Sequence, residues 1–430
     1  MQEFPFGNVF RIILESQIAL FRYPSSMIWF WIVMSIVYFQ YRRMSALETQ
    51  IFGRPRRSAI VRTMCSLGEG MVGGILGSFL IILLSASAES LGLGAIWLIA
   101  LALASIDIRF ICFSYAGGIV SLLNLAFGWP DVDVTSIMAL VGVLHLVESA
   151  LILLSGHRDA APVIVSGPDN KPAGGFYMSK YWPVPIAILW ITYSLATTGT
   201  PEGGIAMPDW WPLLKSAAPP SPDMRADYWV LAITVAMGYG DATYSRLPRQ
   251  KTKATAGMSA LFSLALLGLT LLSERYPWVR WVAALFSPIG HEFVIGMSQK
   301  AELEGEPLFT TPAQGIRVLD VGPGSPCDQA GIKPGDVIEA VNCQPVNSFA
   351  DFAEALRSVG YATILDIRSG LPGSKGENRT VQIRGVPDGL GLLLVPTEGD
   401  YPKMDSGRAG LIAIIADRIK RRSSRRRRRR

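Results

Sequence analysis

Histidine and cysteine are scarce in this chain, with three and four among 430 residues. Charge is scarce too: charged residues make up 17% and hydrophobic residues half, where soluble domains carry about a quarter charged. That balance excludes an ordinary soluble protein of this size and indicates a polytopic membrane protein. Cys65, Cys112, Cys327 and Cys343 stand far apart with no CxxC and no Cys/His pairing, so neither a disulfide framework nor a zinc site is legible. They read as small buried residues in a reducing compartment. No Gly-x-Ser-x-Gly elbow is present, which leaves a serine hydrolase unsupported. The first apolar stretch is followed by Arg42 and Arg43 rather than a small-residue cleavage site, so it is expected to be retained as a span. The net charge of +6 is concentrated at the C-terminus, where Arg425 to Arg430 stand together.

What the chain has in quantity is apolar windows approaching the roughly 20 residues that a helix needs to cross a bilayer. Within a membrane domain over 1–300, spans are expected at about Tyr23–Tyr41, Gly70–Ala88, Leu91–Ile106, Phe110–Pro130, Val134–Gly156, Trp182–Gly199, Asp227–Thr243, Ala254–Ser273 and Trp278–Ser298, some eight or nine helices. The Leu91 and Asp227 spans are short enough to be re-entrant. Phe4–Phe21, with Arg11, Glu15 and Arg22 on or beside it, reads as an interfacial amphipathic stretch. Small-residue runs at Gly70–Gly77 and Ala116–Gly118 allow close helix approach and read as packing devices rather than a substrate path. No pair of interrupted segments suggests an inverted repeat, and a transporter with a regulatory domain stays an alternative. Lys and Arg gather at Arg42–Arg62 and Arg246–Lys253, which assigns both segments to the cytoplasm.

Ionisable residues in apolar spans are candidates for function. His145 and Glu148 lie three apart on one helical face and read as a hydrogen-bonded packing pair. His291-Glu292 matches the first half of the zinc-protease motif HExxH, but the second histidine position is Ile295 and no Asp-Gly lies in an apolar span. No metal, cofactor or catalytic residue is therefore assigned. An intramembrane metalloprotease-like protein with an incomplete motif is the alternative function, and His291-Glu292 reads as a helix cap or a bond to a neighbouring span.

From Gly315 to Asn342 the chain reads GIRVLDVGPGSPCDQAGIKPGDVIEAVN, which resembles a PDZ domain of the bacterial type. The fold class expected is thus a polytopic α-helical membrane domain followed by a small α+β PDZ domain over 307–398, a partly open β-barrel with two helices. In PDZ domains a peptide C-terminus adds as a strand beside a glycine turn. Carried onto this sequence, the turn is Gln314-Gly315-Ile316, the accepting strand Ile316–Val321 and the opposite wall the helix Ser348–Leu356. Ile316, Val318, Phe352 and Leu356 are the expected lining. Gly389-Leu-Gly-Leu392 imitates a second carboxylate turn but reads as part of a closing strand. The tail over 403–430 ends in Arg425, Arg426, Arg427, Arg428, Arg429 and Arg430, suited to anionic lipid headgroups at about 1 kcal/mol per residue rather than to nucleic acid.

Four further segments carry a wider resemblance: Leu144–Ser149, the Gly174–Pro185 loop, Met237–Asp241, and Ile289–Glu292 ahead of the PDZ start. With them the chain resembles the MinJ family of bacterial cell-division topological factors. That resemblance implies a multi-pass scaffold of the cell membrane with a cytoplasmic PDZ domain. Its implied partners are a polar coiled-coil protein and the ATPase MinD, and its implied role is septum placement.

Overall fold

The computed structural model describes residues 3–396 apart from 89–90, 167–170, 196–203, 216–220, 222, 358–361, 372–375 and 385–388; the arginine tail lies outside the described residues. Helices α1 (Phe6–Ala19) and α2 (Pro24–Phe52) are bent by 82° to one another, with Pro24 at the start of α2 and left-handed Gly53 closing it. They lead to α3 (Ala59–Leu84), capped by Ser58, whose Oγ accepts from Val61 N. Next come α4 (Leu93–Ile106), a 3-10 turn at Ile108–Ile111, α5 (Phe113–Phe127) and α6 (Val134–Leu151), which continues through a π turn to Gly156. A sheet follows, of β1 (Ala161–Ser166), β2 (Pro172–Leu195) and β3 (Met224–Thr243), then α7 (Pro248–Arg275) and α8 (Val279–Leu303).

Among the described residues, α3, α6 with its π turn, and α7 suffice by length and composition to cross a membrane, or four spans if the bent α1–α2 pair counts as one. Two expected helices are corrected. Trp182–Leu195 of the first and Asp227–Thr243 fall on β2 and β3, which pair antiparallel from Phe176↔Thr243 to Leu195↔Met224, while 196–199 lie outside the described residues. β2 is covered on both faces over most of its length while β3 is only partly buried, and a strand covered on both faces is as continuously apolar as a buried helix, so hydrophobicity alone does not separate them.

Burying the far edge of β2 requires that its backbone groups be satisfied inside the protein. Tyr181 N–H donates to Tyr41 Oη at 3.1 Å, and Tyr181 O accepts from Tyr41 Oη at 2.9 Å and Ser66 Oγ at 2.7 Å. Pro183 and Pro185 bring no N–H to that edge. Gln17 Nε2 donates to Pro185 O at 3.1 Å, Ala187 N–H to Ser78 Oγ at 2.8 Å, and Ala88 N–H to Leu189 O at 2.8 Å. The strand can come this close because α3 offers glycines: a Cβ on Gly70 would overlap Pro183 O, and one on Gly74 would overlap Pro185 O. The small-residue stripe thus seats a strand where the sequence suggested a helix.

Helices α4 and α5, at 14 and 15 residues, are about 21 Å long, short of a roughly 30 Å hydrocarbon core. Gly92, before α4, abuts Val132, before α6, while Gly117 on α5 faces Ile137 and Val141 on α6. The pair thus dips in from the end where α6 begins and turns at Asp107–Cys112.

At the other end lie the charges. Glu48 is paired with Arg62 at 2.7 Å. Glu69 accepts from Ser155 Oγ at 2.6 Å, Trp182 Nε1 at 2.9 Å and Arg158 Nη1 at 3.0 Å. Lys180 Nζ is 3.6 Å from Asp159, and Lys251 Nζ is 3.5 Å from both Asp241 and Glu302.

The C-terminal module follows at this charged end. It comprises β4 (Phe309–Thr310), β5 (Ile316–Val321), α9 (Pro326–Gln329), β6 (Val337–Val341), β7 (Gln344–Pro345), α10 (Phe349–Arg357), β8 (Ala362–Arg368), β9 (Asn378–Arg384) and β10 (Leu392–Leu394). Its sheet runs β10-β5-β6-β8-β9, with β7 paired to β6, while β4 joins β2. Ile316, Val318, Ile338, Phe352, Leu365 and Ile367 fill its core. Leu319 and Val395 belong instead to the core shared with Phe176, Met178 and Trp182 of the membrane body. Arg56 pairs with Asp320 and Arg54 donates to Pro323 O, so the loop between α2 and α3 clasps the module from the side.

Candidate functional site

The C-terminal module offers one groove and the helices one polar cluster. In the groove expected between β5 and the α10 helix, Ile316 and Val318 are fully buried and Phe352 nearly so, while Leu356 is half-buried against the same core. Gly315 has φ +84, and a Cβ there would meet Ile338 O at 2.6 Å. Its N–H is spent on Asn347 Oδ1 at 2.9 Å, while Gln314 beside it is exposed. Both edges of β5 are taken. Ile316 pairs with Ile338 of β6, and Val318, Asp320 and Val321 pair with Leu394, Leu393 and Leu392 of β10. The expected accepting strand is corrected accordingly: the last strand fills that edge, and among the described residues the sheet's open edges are β9 on the far side and, beside β5, β10.

That strand begins at the second glycine turn, Gly389-Leu390-Gly391, with φ +86 at Gly389 and +71 at Gly391. Such left-handed glycines turn successive N–H groups toward one side, the arrangement that captures a carboxylate. Leu392 and Leu394 face the module's core while Leu393 packs on the membrane body. The α10 helix is positioned by Ser348, whose Oγ accepts from Asp351 N at 3.1 Å, and by the Asp351 carboxylate, which accepts from Asn347 N and Ser348 N at 3.0 and 2.9 Å. Those donors hold the Asp351 carboxyl below its ordinary range. Asp320 behaves oppositely: burial outweighs Arg56 and pushes it up to about 6.

Of the intramembrane residues singled out from the sequence, His145, His291 and Glu292 converge on the tip of the α4–α5 dip. His145 Nδ1–H donates to Val141 O at 2.8 Å, and its Nε2 is hydrogen-bonded to Cys112 Sγ at 3.2 Å. No hydrogen bond joins it to Glu148 among the described residues. His291 lies with its ring 5.0 Å from that of His145, and Glu292 accepts from Tyr115 Oη at 2.6 Å and Arg109 Nη1 at 3.0 Å. Cys112 was missed by the sequence reading, since it stands 33 residues from His145 and 179 from His291.

The family model for the PDZ domain matches residues 317–369. The chain is also 25% identical over 286 residues to the cell division topological determinant MinJ of Bacillus subtilis (strain 168), an alignment covering 66% of each protein. The apolar helices make this a membrane protein. The chain is thus MinJ-like over 66% of its length and carries a PDZ domain near its C-terminal end.

Proposed function

We propose that the protein is a membrane-anchored adaptor without catalytic activity of its own, which gathers cytosolic partners on its PDZ domain in division-site placement or polar protein localisation. The observation that carries this reading is the docking of that domain. Leu319 and Val395 sit in the membrane body's core while the outer side of β10 has no strand partner among the described residues. A peptide pairing there would be held at the membrane surface. The ligand is an extended C-terminal segment with an apolar last residue, its carboxylate at Gly389–Gly391 and its backbone along β10. By resemblance the partners are a polar coiled-coil protein and MinD, and anionic lipids engage Arg425–Arg430. The charged end of the body, with Arg54, Arg56, Arg246 and Lys253, faces the cytoplasm, and the PDZ domain with it.

The test is capture of purified MinD and of the polar coiled-coil protein by the full chain in lipid nanodiscs. Retention of at least one of them is expected, lost in Leu392→Arg with unchanged circular dichroism. Cleavage of a single-span test substrate, abolished by His291→Ala and Glu292→Ala, would replace the adaptor with an intramembrane protease.

A further inference from the structure

We propose that Cys112, His145 and His291 bind a single zinc ion that pins the tip of the α4–α5 dip to the middles of α6 and α8. Their donor atoms all lie within 4.8 Å of one another. In a tetrahedral site with metal–sulfur about 2.3 Å and metal–nitrogen about 2.0 Å, sulfur and nitrogen stand about 3.5 Å apart. The separations here, 3.2 Å from Cys112 Sγ to His145 Nε2 and 3.8 Å to His291 Nε2, fall on either side of that value. His145 is oriented for the task. Its Nδ1 faces Val141 O at 2.8 Å, which fixes the proton on Nδ1 and turns the Nε2 lone pair to the sulfur, the second-shell arrangement usual for a ligating histidine. His291 Nε2 has only the long contact to sulfur, a position that a metal would fill, while its Nδ1 is buried with no hydrogen-bond partner among the described residues. Cys112 caps α5, accepting from Ser114 N at 3.5 Å, so a thiolate would stand at the positive end of that helix.

The surroundings are mostly aromatic. Phe262 lies 5.5 Å from the His145 ring and 5.8 Å from His291, and Tyr115 lies 5.1 Å from His291. Both oxygens of Glu292 are held, by Tyr115 and Arg109, which leaves the thiolate and two imidazoles as the donor set and a fourth position for water. One thiolate with two imidazoles suits zinc over the hard, oxygen-seeking magnesium and calcium. The inference stands apart from the adaptor reading.

The experiment is elemental analysis of the full chain purified in detergent and dialysed against zinc. One zinc per chain is expected, with at least about 10–100-fold weaker retention in Cys112→Ser, His145→Asn and His291→Asn. Cobalt-loaded protein should show a thiolate-to-metal charge-transfer band that Cys112→Ser lacks. Should the variants misfold, the unmutated chain still decides. Alkylation of Cys112, read by peptide mapping, should speed up when a chelator strips the metal and slow again on adding zinc. Zinc far below one per chain, zinc indifferent to all three substitutions, another metal in its place, or Cys112 alkylation that ignores the chelator would each overturn the proposal.

Discussion

At the scale of single residues, the tightest constraints are glycines and one buried acid. Gly68 and Gly74 stand on the same helix, yet a Cβ at Gly68 meets nothing within 4 Å while one at Gly74 overlaps the carbonyl of Pro185. Gly68→Ala is therefore expected to stabilise the protein by about 0.5–1 kcal/mol through helix propensity. Gly74→Ala should cost about 1–3 kcal/mol as β2 is pushed off. Thermal unfolding in detergent distinguishes them, and equal effects would mean that α3 and β2 do not touch. Asp320, raised from 3.8 to about 6, keeps its proton in the folded chain over a range where the unfolded chain has lost it. Stability attributable to it is therefore greatest below about pH 4, falls by roughly 3 kcal/mol as pH rises to about 6, and is flat above. Asp320→Asn should gain on the wild type across that window and not beyond it, when melting is followed from pH 4 to 7. A difference independent of pH would refute the raised carboxyl.

At the scale of elements, the outer edge of β10 and the inner edge of β2 pose the same problem, unpaired backbone, solved in different ways. Side chains of α1, α2 and α3 close the β2 edge. Removing one closer, Ser78→Ala, leaves Ala187 N–H buried without its 2.8 Å acceptor and should cost about 1–3 kcal/mol. The β10 edge carries no such closure among the described residues. Leu392→Arg should therefore weaken capture of a fluorescent C-terminal peptide at least about tenfold by crowding the groove, whereas Gln314→Arg, beside a turn whose Gly315 N–H is already bonded to Asn347, should leave it unchanged. The reverse ranking, read by fluorescence anisotropy, would restore the turn before β5 as the carboxylate site.

At the scale of the whole molecule, the charged ends of α2, α3, α6, α7 and α8 meet the PDZ domain on one side, and Gly92, Val132 and the start of α6 mark the other. Reporter fusions after Arg57, Lys253 and Val395 should all report cytoplasm, and Gly128→Cys should be labelled by an impermeant maleimide from outside. Labelling of Gly128→Cys only after permeabilisation would contradict this arrangement of the body.

Much of this was legible in the sequence. The Gly-Ser-Pro and Gly-Ile-Lys-Pro-Gly-Asp turns set the PDZ strands and the short α9 helix, because turn chemistry is local. Low charge and apolar windows established a membrane body, and the Gly70–Gly77 run announced a close approach, expected of a helix where β2 is what approaches. The strand character of β2 was hidden because a run buried on both faces has no readable period, although Pro183 and Pro185, two apart, are hard to place within one helix. Tertiary structure alone decided that β10 fills the edge of β5, since pairing partners are chosen by geometry across the chain rather than by spacing along it. It alone also brought Cys112 to His145 and His291. Three scattered donors become neighbours only when a short dip in the chain meets the middles of two long helices, and no local pattern encodes that meeting.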